Sequence, residues 1–132
     1  MAITFDKALG IHQHALEARV QRAEVLANNM ANADTPGFKA RGMDFQAMMQ
    51  KAQDNMSGFG MEKTHAGHMD TSAGAGDSDL LYRVPNQPSV DGNTVDAQAE
   101  QTRFMRNAMD YQASFQFLNS KFTGLTKAIK GE

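Results

Sequence analysis

LANNMANADTPGFKAR, residues 26–41, sets where the first part of this chain must stop being helical. Upstream of it, apolar residues recur at helical spacing. Within it, Asn28, Asn29 and Asn32 lead into Asp34-Thr35-Pro36-Gly37, whose turn chemistry is explicit. Proline presets φ for the second turn position and glycine accepts the positive φ of the third, while Thr35, preceding proline, is pushed out of helical geometry. A helix end followed by a type II turn is expected, with Phe38, Lys39 and Arg41 leaving in an extended direction. Asn28 and Asn32 share a helix face and Asn29 points elsewhere; asparagine is a mediocre helix former, so amides gathered in a last turn suggest specific side-chain hydrogen bonding to a neighbour.

Toward the N-terminus, Phe5, Leu9, His12, Leu16, Arg19, Ala23, Leu26 and Met30 alternate steps of four and three, the spacing that keeps one stripe facing a partner. His12 and Arg19 interrupt the stripe. A helix over residues 3–33 would run roughly 45 Å at 1.5 Å per residue. Beyond the turn, Asp44 can cap a short helix carrying Phe45, Met48, Met49, Ala52 and Met56 on one side. Residues 57–79 shift to Gly, Ser, Ala, Asp, His and Met without period, which predicts a loop-rich, mobile insert. Leu80 to Val84 then spell a short strand, ended by Pro85 and Pro88, with residues 38–41 as its expected hairpin partner.

Asp91-Gly92-Asn93 makes a second turn, and a long helix is expected from about Val95. Its stripe is the most regular in the chain: Phe104, Ala108, Tyr111, Phe115, Leu118, Phe122, Leu125 and Ile129. All are apolar or aromatic over more than three heptads, the requirement for a coiled-coil seam. The fold class expected is mainly α. Long N- and C-terminal helices pair as an antiparallel coiled coil, and a short helix, a loop-rich insert and a small β-hairpin lie between them. The chain divides as residues 1–33, 34–93 and 94–132 of one unit. The helix seam expected to meet the C-terminal stripe is Leu9, Leu16, Ala23, Leu26 and Met30. A thin seam of this kind predicts terminal helices that are largely unfolded in a dilute monomer and form only when neighbouring subunits cover them.

Composition points the same way. Apolar residues make up 41% of 132, yet only 8% are aromatic, there is no tryptophan, and methionine (ten) outnumbers phenylalanine (eight). Such a chain packs adaptably rather than around a rigid interior. The net charge of −2 gives no reason to propose nucleic acid as a partner. Residues 51–100 are acidic, with three Lys/Arg against eight Asp/Glu, and residues 101–132 basic, with five against two. With no cysteine, there is neither a disulfide framework nor a thiolate site. The opening residues lack a basic segment followed by an apolar run, so a cleaved signal peptide is not expected.

No catalytic, metal or cofactor residues are assigned. His65, His68 and Asp70 have ligand-like spacing but lie in the insert without a second cluster. His12 and His14 point apart on a helix, and the DGNTVD run at residues 91–96 lacks the glycine and ligand pattern of a calcium loop. No phosphate cradle, nucleophile elbow or paired carboxylates occur, so an enzyme is not expected. Two other readings are a soluble helical adaptor that binds a partner helix and a secreted protein holding metal through the His/Asp insert.

The Ala-Asn-Asn-apolar-Ala-Asn segment followed by Thr-Pro-Gly-aromatic-Lys closely resembles the signature of bacterial flagellar basal-body rod proteins, with Met30 where a branched aliphatic is commoner. DGNTVDAQAE at residues 91–100, with Tyr111, Leu118, Asn119, Lys121 and Leu125, resembles the proximal, FlgB-type branch of that family. The resemblance implies a structural subunit of the proximal rod in the periplasm, exported by the flagellum's own apparatus and transmitting torque through helical packing. Its implied neighbours are copies of itself, rod proteins of the FlgC, FlgF and FlgG types, the FliE-type rod-to-ring adaptor and the FliF-type inner-membrane ring. Asn28, Asn29, Asn32, Thr35, Pro36, Gly37 and Phe38 are the expected subunit interface.

Overall fold

A computed structural model describes residues 8–57, 80–85 and 87–131. The fold is mainly helical, with α1 (Ile11–Ala31), β1 (Arg41–Met43), α2 (Phe45–Ser57), β2 (Leu80–Tyr82) and α3 (Ala97–Lys130) in chain order. Helix α1 is shorter than the periodicity implies at both ends. Ala8 and Leu9 are helical, but Gly10 adopts φ 60°, a left-handed value that breaks the run before Ile11. At the other end α1 stops at Ala31, two residues before the expected limit, with Asn32 as its cap. The insert at residues 58–79, including His65, His68 and Asp70, lies outside the described residues.

The turn forms as its chemistry requires. Gly37 has φ 73°, and the Phe38 N–H donates to the Thr35 carbonyl at 3.3 Å. Asp44 caps α2 by accepting from the N–H groups of Gln46 (2.9 Å) and Ala47 (3.3 Å). Phe45, Met48, Met49 and Ala52 are half-buried while Met56 is exposed, so all but the last member of the expected α2 face turns inward. Helix α3 starts at its Asp96 cap, which accepts from the Ala99 N–H at 3.1 Å, and ends at Gly131 with φ 77°.

The hairpin partner differs from expectation. Strand β2 pairs antiparallel with residues 41–43, in the register Arg41 to Tyr82, Gly42 to Leu81 and Met43 to Leu80. Arg41 is shared with the expected partner and the Ala40 carbonyl accepts from the Arg83 N–H at 2.9 Å, but the groups before it are engaged by the second turn. Gly37 N–H donates to the Asp91 carbonyl (2.9 Å), Thr94 N–H to the Phe38 carbonyl (3.0 Å), and Ala40 N–H to the Thr94 hydroxyl (2.7 Å). Backbone donors so engaged cannot also serve β2.

Helices α1 and α3 pair antiparallel: His12 lies near Phe117, Arg19 meets Asp110, and Asn29 meets Glu100. The face α3 turns to its partner is not the aromatic seam. Glu100, Asn107 and Asp110 hydrogen-bond to α1, and burial along α3 follows that polar row. Asn107 and Asp110 each precede a seam residue by one position, about 100° of rotation around the helix. Phe104, Tyr111, Phe115, Phe122 and Ile129 are therefore 37, 39, 55, 43 and 86% exposed, Ala108 is exposed, and only Leu118 and Leu125 are half-buried. On α1, Leu9 and Leu26 are buried and Leu16, Ala23 and Met30 half-buried. The buried apolar side chains among the described residues are Leu9, Ala18, Leu26 and Ala40.

Candidate assembly interface

Asn29, at 1% exposure, holds the middle of the molecule together from α1. Its amide grips the backbone of Arg41 at both ends, accepting from the N–H at 3.0 Å and donating to the carbonyl at 2.7 Å. The same Nδ2 donates to Glu100 Oε2 at 3.0 Å. The other carboxylate oxygen of Glu100 accepts from Arg83 Nη1 at 2.9 Å and from Arg103 Nη1. One buried carboxylate thus joins α1, the residue after β2, and its own helix. Burial lowers the Arg83 pKa, Glu100 opposes that shift, and Arg103 and Arg22 add to it.

Gly42 makes room for this latch. A Cβ there would lie 2.7 Å from Arg83 Nε, so the guanidinium crosses over a strand position where any side chain would make it shift. Arg19, which interrupts the apolar stripe in the sequence, is a cross-brace. Its guanidinium lies 3.7 Å from the centre of the Phe45 ring in α2 and donates to Asp110 Oδ2 of α3 at 2.9 Å. Burial lowers its pKa, opposed by Asp110.

A second clamp closes the turns on each other. Asn93 is 6% exposed, and its Nδ2 donates to the carbonyls of Asn32 (3.0 Å), Ala33 (2.7 Å) and Thr35 (3.0 Å). It thereby caps the end of α1 from far along the chain. Its Oδ1 accepts from the Val95 N–H at 2.8 Å, and the Ser89 hydroxyl donates to its carbonyl. Asp91 has its carboxyl held below the ordinary 3.8, first by the Asn93 N–H and next by Ser89. Lys39 adds a bond from Nζ to the Gly92 carbonyl at 2.7 Å.

The signature residues therefore divide. Asn29 is buried and makes its bonds inside the subunit. Asn32 is half-buried and donates to the Asn28 carbonyl at 2.8 Å, while its Oδ1 accepts from the Thr35 hydroxyl at 3.2 Å. Phe38 is half-buried, whereas Asn28, Thr35, Pro36 and Gly37 are exposed around the turn. The helical periods do not mark Glu100, Asn93 and Asn107 as buried, nor Arg83 and Arg103 as their half-buried neighbours. The available signal was the density of such side chains in residues 91–107, where a helix start would carry fewer. Asn107 Oδ1 and the Nε atoms of Arg19 and Arg22 are buried without a hydrogen-bond partner.

Beside this polar centre stands the apolar face of α3, where Met105 and Met109 are exposed next to the seam at 64 and 65%. Exposed apolar surface this extended marks a place for another protein. No helix among the described residues is long and apolar enough to cross a membrane, and no cluster of three or more His, Asp or Glu there could hold a metal.

Residues 9–39 match the family model described as "Flagella basal body rod protein". The chain is 53% identical to the flagellar basal body rod protein FlgB of Aeromonas hydrophila, covering 100% of this chain and 99% of the relative. It is 42% identical to FlgB of Salmonella typhimurium, over 96% of this chain and 95% of the relative, and 42% identical to FlgB of Escherichia coli K12, over 95 and 94%.

Proposed function

The chain belongs to the flagellar basal body rod proteins, among relatives of the FlgB type, and from that premise we propose that it carries torque through the rod by way of the apolar face of α3. It is a structural subunit of the flagellar basal body and assembles with other rod and basal-body components; the family is structural, not enzymatic. The observation that carries the reading is the exposed row Phe104, Tyr111, Phe115 and Phe122 in a subunit with only four buried apolar side chains among the described residues, two of them, Ala18 and Leu26, in the helix pair. A subunit so built leaves much of its hydrophobic free energy to be gained between copies.

In this reading the rod segment is periplasmic and proximal. The chain reaches it through the flagellar export apparatus, and its neighbours are rod proteins of the FlgC, FlgF and FlgG types, the FliE-type adaptor and the FliF-type ring. Torque passes through many small interlocked contacts, with the exposed part of the signature turn, Asn28, Thr35, Pro36 and Gly37, forming one of them. Complementation of a strain lacking its own FlgB tests it. The wild-type chain is expected to restore swimming and to be recovered in isolated basal bodies. Phe115→Asp is expected to be produced at wild-type level and to do neither. Full swimming with Phe115→Asp would refute the role of this face.

A further inference from the structure

Arg22 puts a positive charge in the middle of the face that α1 turns inward. It stands four residues from Ala18 and four from Leu26, two of the buried positions of that helix. The residue is half-buried and its Nε is shut off from solvent, yet among the described residues its guanidinium makes no hydrogen bond and no ion pair. His12 with Phe117, Arg19 with Asp110 and Asn29 with Glu100 keep one register along α1 and α3, and that register sets Asn107 across from Arg22. Asn107 Oδ1 is also buried without a partner. An amide oxygen can accept one guanidinium N–H, but it carries no charge to set against the cation.

The surroundings deepen the imbalance. Burial lowers the pKa of Arg19 and of Arg83, the carboxylates Asp110 and Glu100 oppose the shift, and repulsion from Arg22 adds to it in both. Arg22 is therefore within electrostatic reach of two ion pairs at once. Arg106 acts on Arg19, and Arg103 on Arg83, in the same sense. Five guanidiniums thus accompany two carboxylates, and both carboxylates are already bound, Glu100 to Arg83 and Arg103 and Asp110 to Arg19. Charge withdrawn from water without an opposite charge is costly, and the planar fork of arginine matches an oxyanion better than any other side chain does.

We propose that Arg22, set between the Arg19–Asp110 and Arg83–Glu100 pairs, is the receptor for one oxyanion, a phosphate or carboxylate group that this subunit does not itself supply. Arg22 makes the bonds, and the neighbouring arginines add their field. The bound anion offsets the excess positive charge between α1 and α3 and so stiffens the contact between them. Its source is a free anion or an acidic side chain of an adjoining protein. The site stands on the fold alone, and only the second source rests on the rod reading above.

Thermal melting of the purified chain in sodium phosphate and in sodium chloride, at equal ionic strength and neutral pH, tests the free anion. Phosphate stabilises folded proteins generally by exclusion from their surface, so the response that counts is the part lost with Arg22. Arg22→Met keeps an apolar stem and removes the charge. In chloride this variant is expected to melt no lower than the natural chain, because an uncompensated cation is gone. In phosphate the natural chain and Lys121→Gln, which makes the same change of net charge at an exposed position, are expected to rise several degrees more than Arg22→Met. If phosphate raises all three alike, recovery in isolated basal bodies decides. Arg22→Met recovered several-fold below the natural chain, with Arg22→Lys regaining part of the difference, assigns the anion to a carboxylate of an adjoining protein. Equal responses to phosphate together with equal recovery overturn the proposal. So does an Arg22→Met chain that melts well below the natural one in chloride, which would make Arg22 a structural partner within the subunit. If the natural chain itself is absent from basal bodies, the rod reading falls while a phosphate response specific to Arg22 stands; without that response both fall.

Discussion

At its start helix α3 buries a carboxylate; farther along it exposes a row of aromatic rings. Glu100 is 1% exposed and held by three side chains, whereas Phe115 is 55% exposed and Phe122 43%. The two regions lie on one helix and invert the ordinary placement of polar and apolar groups. The contrast separates two tasks. Directional hydrogen bonds fix one geometry for a subunit with little core, because each buried polar group is costly unless its named partner is in place. Non-directional apolar surface is left for contacts between subunits, where total area matters more than the identity of a single partner.

The contrast breaks most severely if Glu100 is removed. Glu100→Ala leaves the half-buried Arg83 guanidinium without its carboxylate and removes one of the three Asn29 amide bonds, and loss of one partner from a buried charged set costs about 3–5 kcal/mol. Loss of helical circular dichroism and of cooperative melting in the purified chain is the readout. A melt unchanged from the parent would mean the latch does not hold the fold.

Asn93→Ala is expected to cost about 1–3 kcal/mol, because the cap over the carbonyls of Asn32, Ala33 and Thr35 is lost. Amide exchange should quicken at Val95, whose N–H loses its acceptor, and at the last turn of α1 more than at its middle. Gly42→Ala is expected to cost about 1–2 kcal/mol, since Arg83 must shift from its place over the strand. Adding Arg83→Ala should remove most of that extra cost, which a double-mutant cycle would measure.

Phe115→Asp has the smallest effect on the isolated chain, within about 0.5 kcal/mol for an exposed position. Its consequence is expected only in assembly. Destabilisation comparable to Glu100→Ala would place Phe115 in the subunit's own fold and erase the distinction between the two regions.

Much of this was legible in the chain. Thr35-Pro36-Gly37, the Asp44 cap and the two helical periods depend on neighbours within a few residues, and they appear where local chemistry puts them. The strand at residues 80–82 was legible too. Its register was less so, because the choice between the expected residues 38–41 and the observed 41–43 depends on which donors Asp91 and Thr94 occupy. Arg19 looked like a flaw in a seam because Phe45 and Asp110, its two partners, come from different helices.

The sequence by itself determined that two amphipathic helices flank a turn-rich middle and that α3 carries a continuous aromatic stripe. Periodicity records which residues share a face, and it does so without reference to anything outside the helix. Only the tertiary structure decided how α3 is rotated about its own axis. That rotation follows from Asn29, Arg19 and Arg83 demanding Glu100 and Asp110 as partners. Turning the helix by one residue to bury Tyr111 and Phe115 would leave those buried polar groups unpaired, at a cost of about 1–3 kcal/mol for each neutral group and more for each charge.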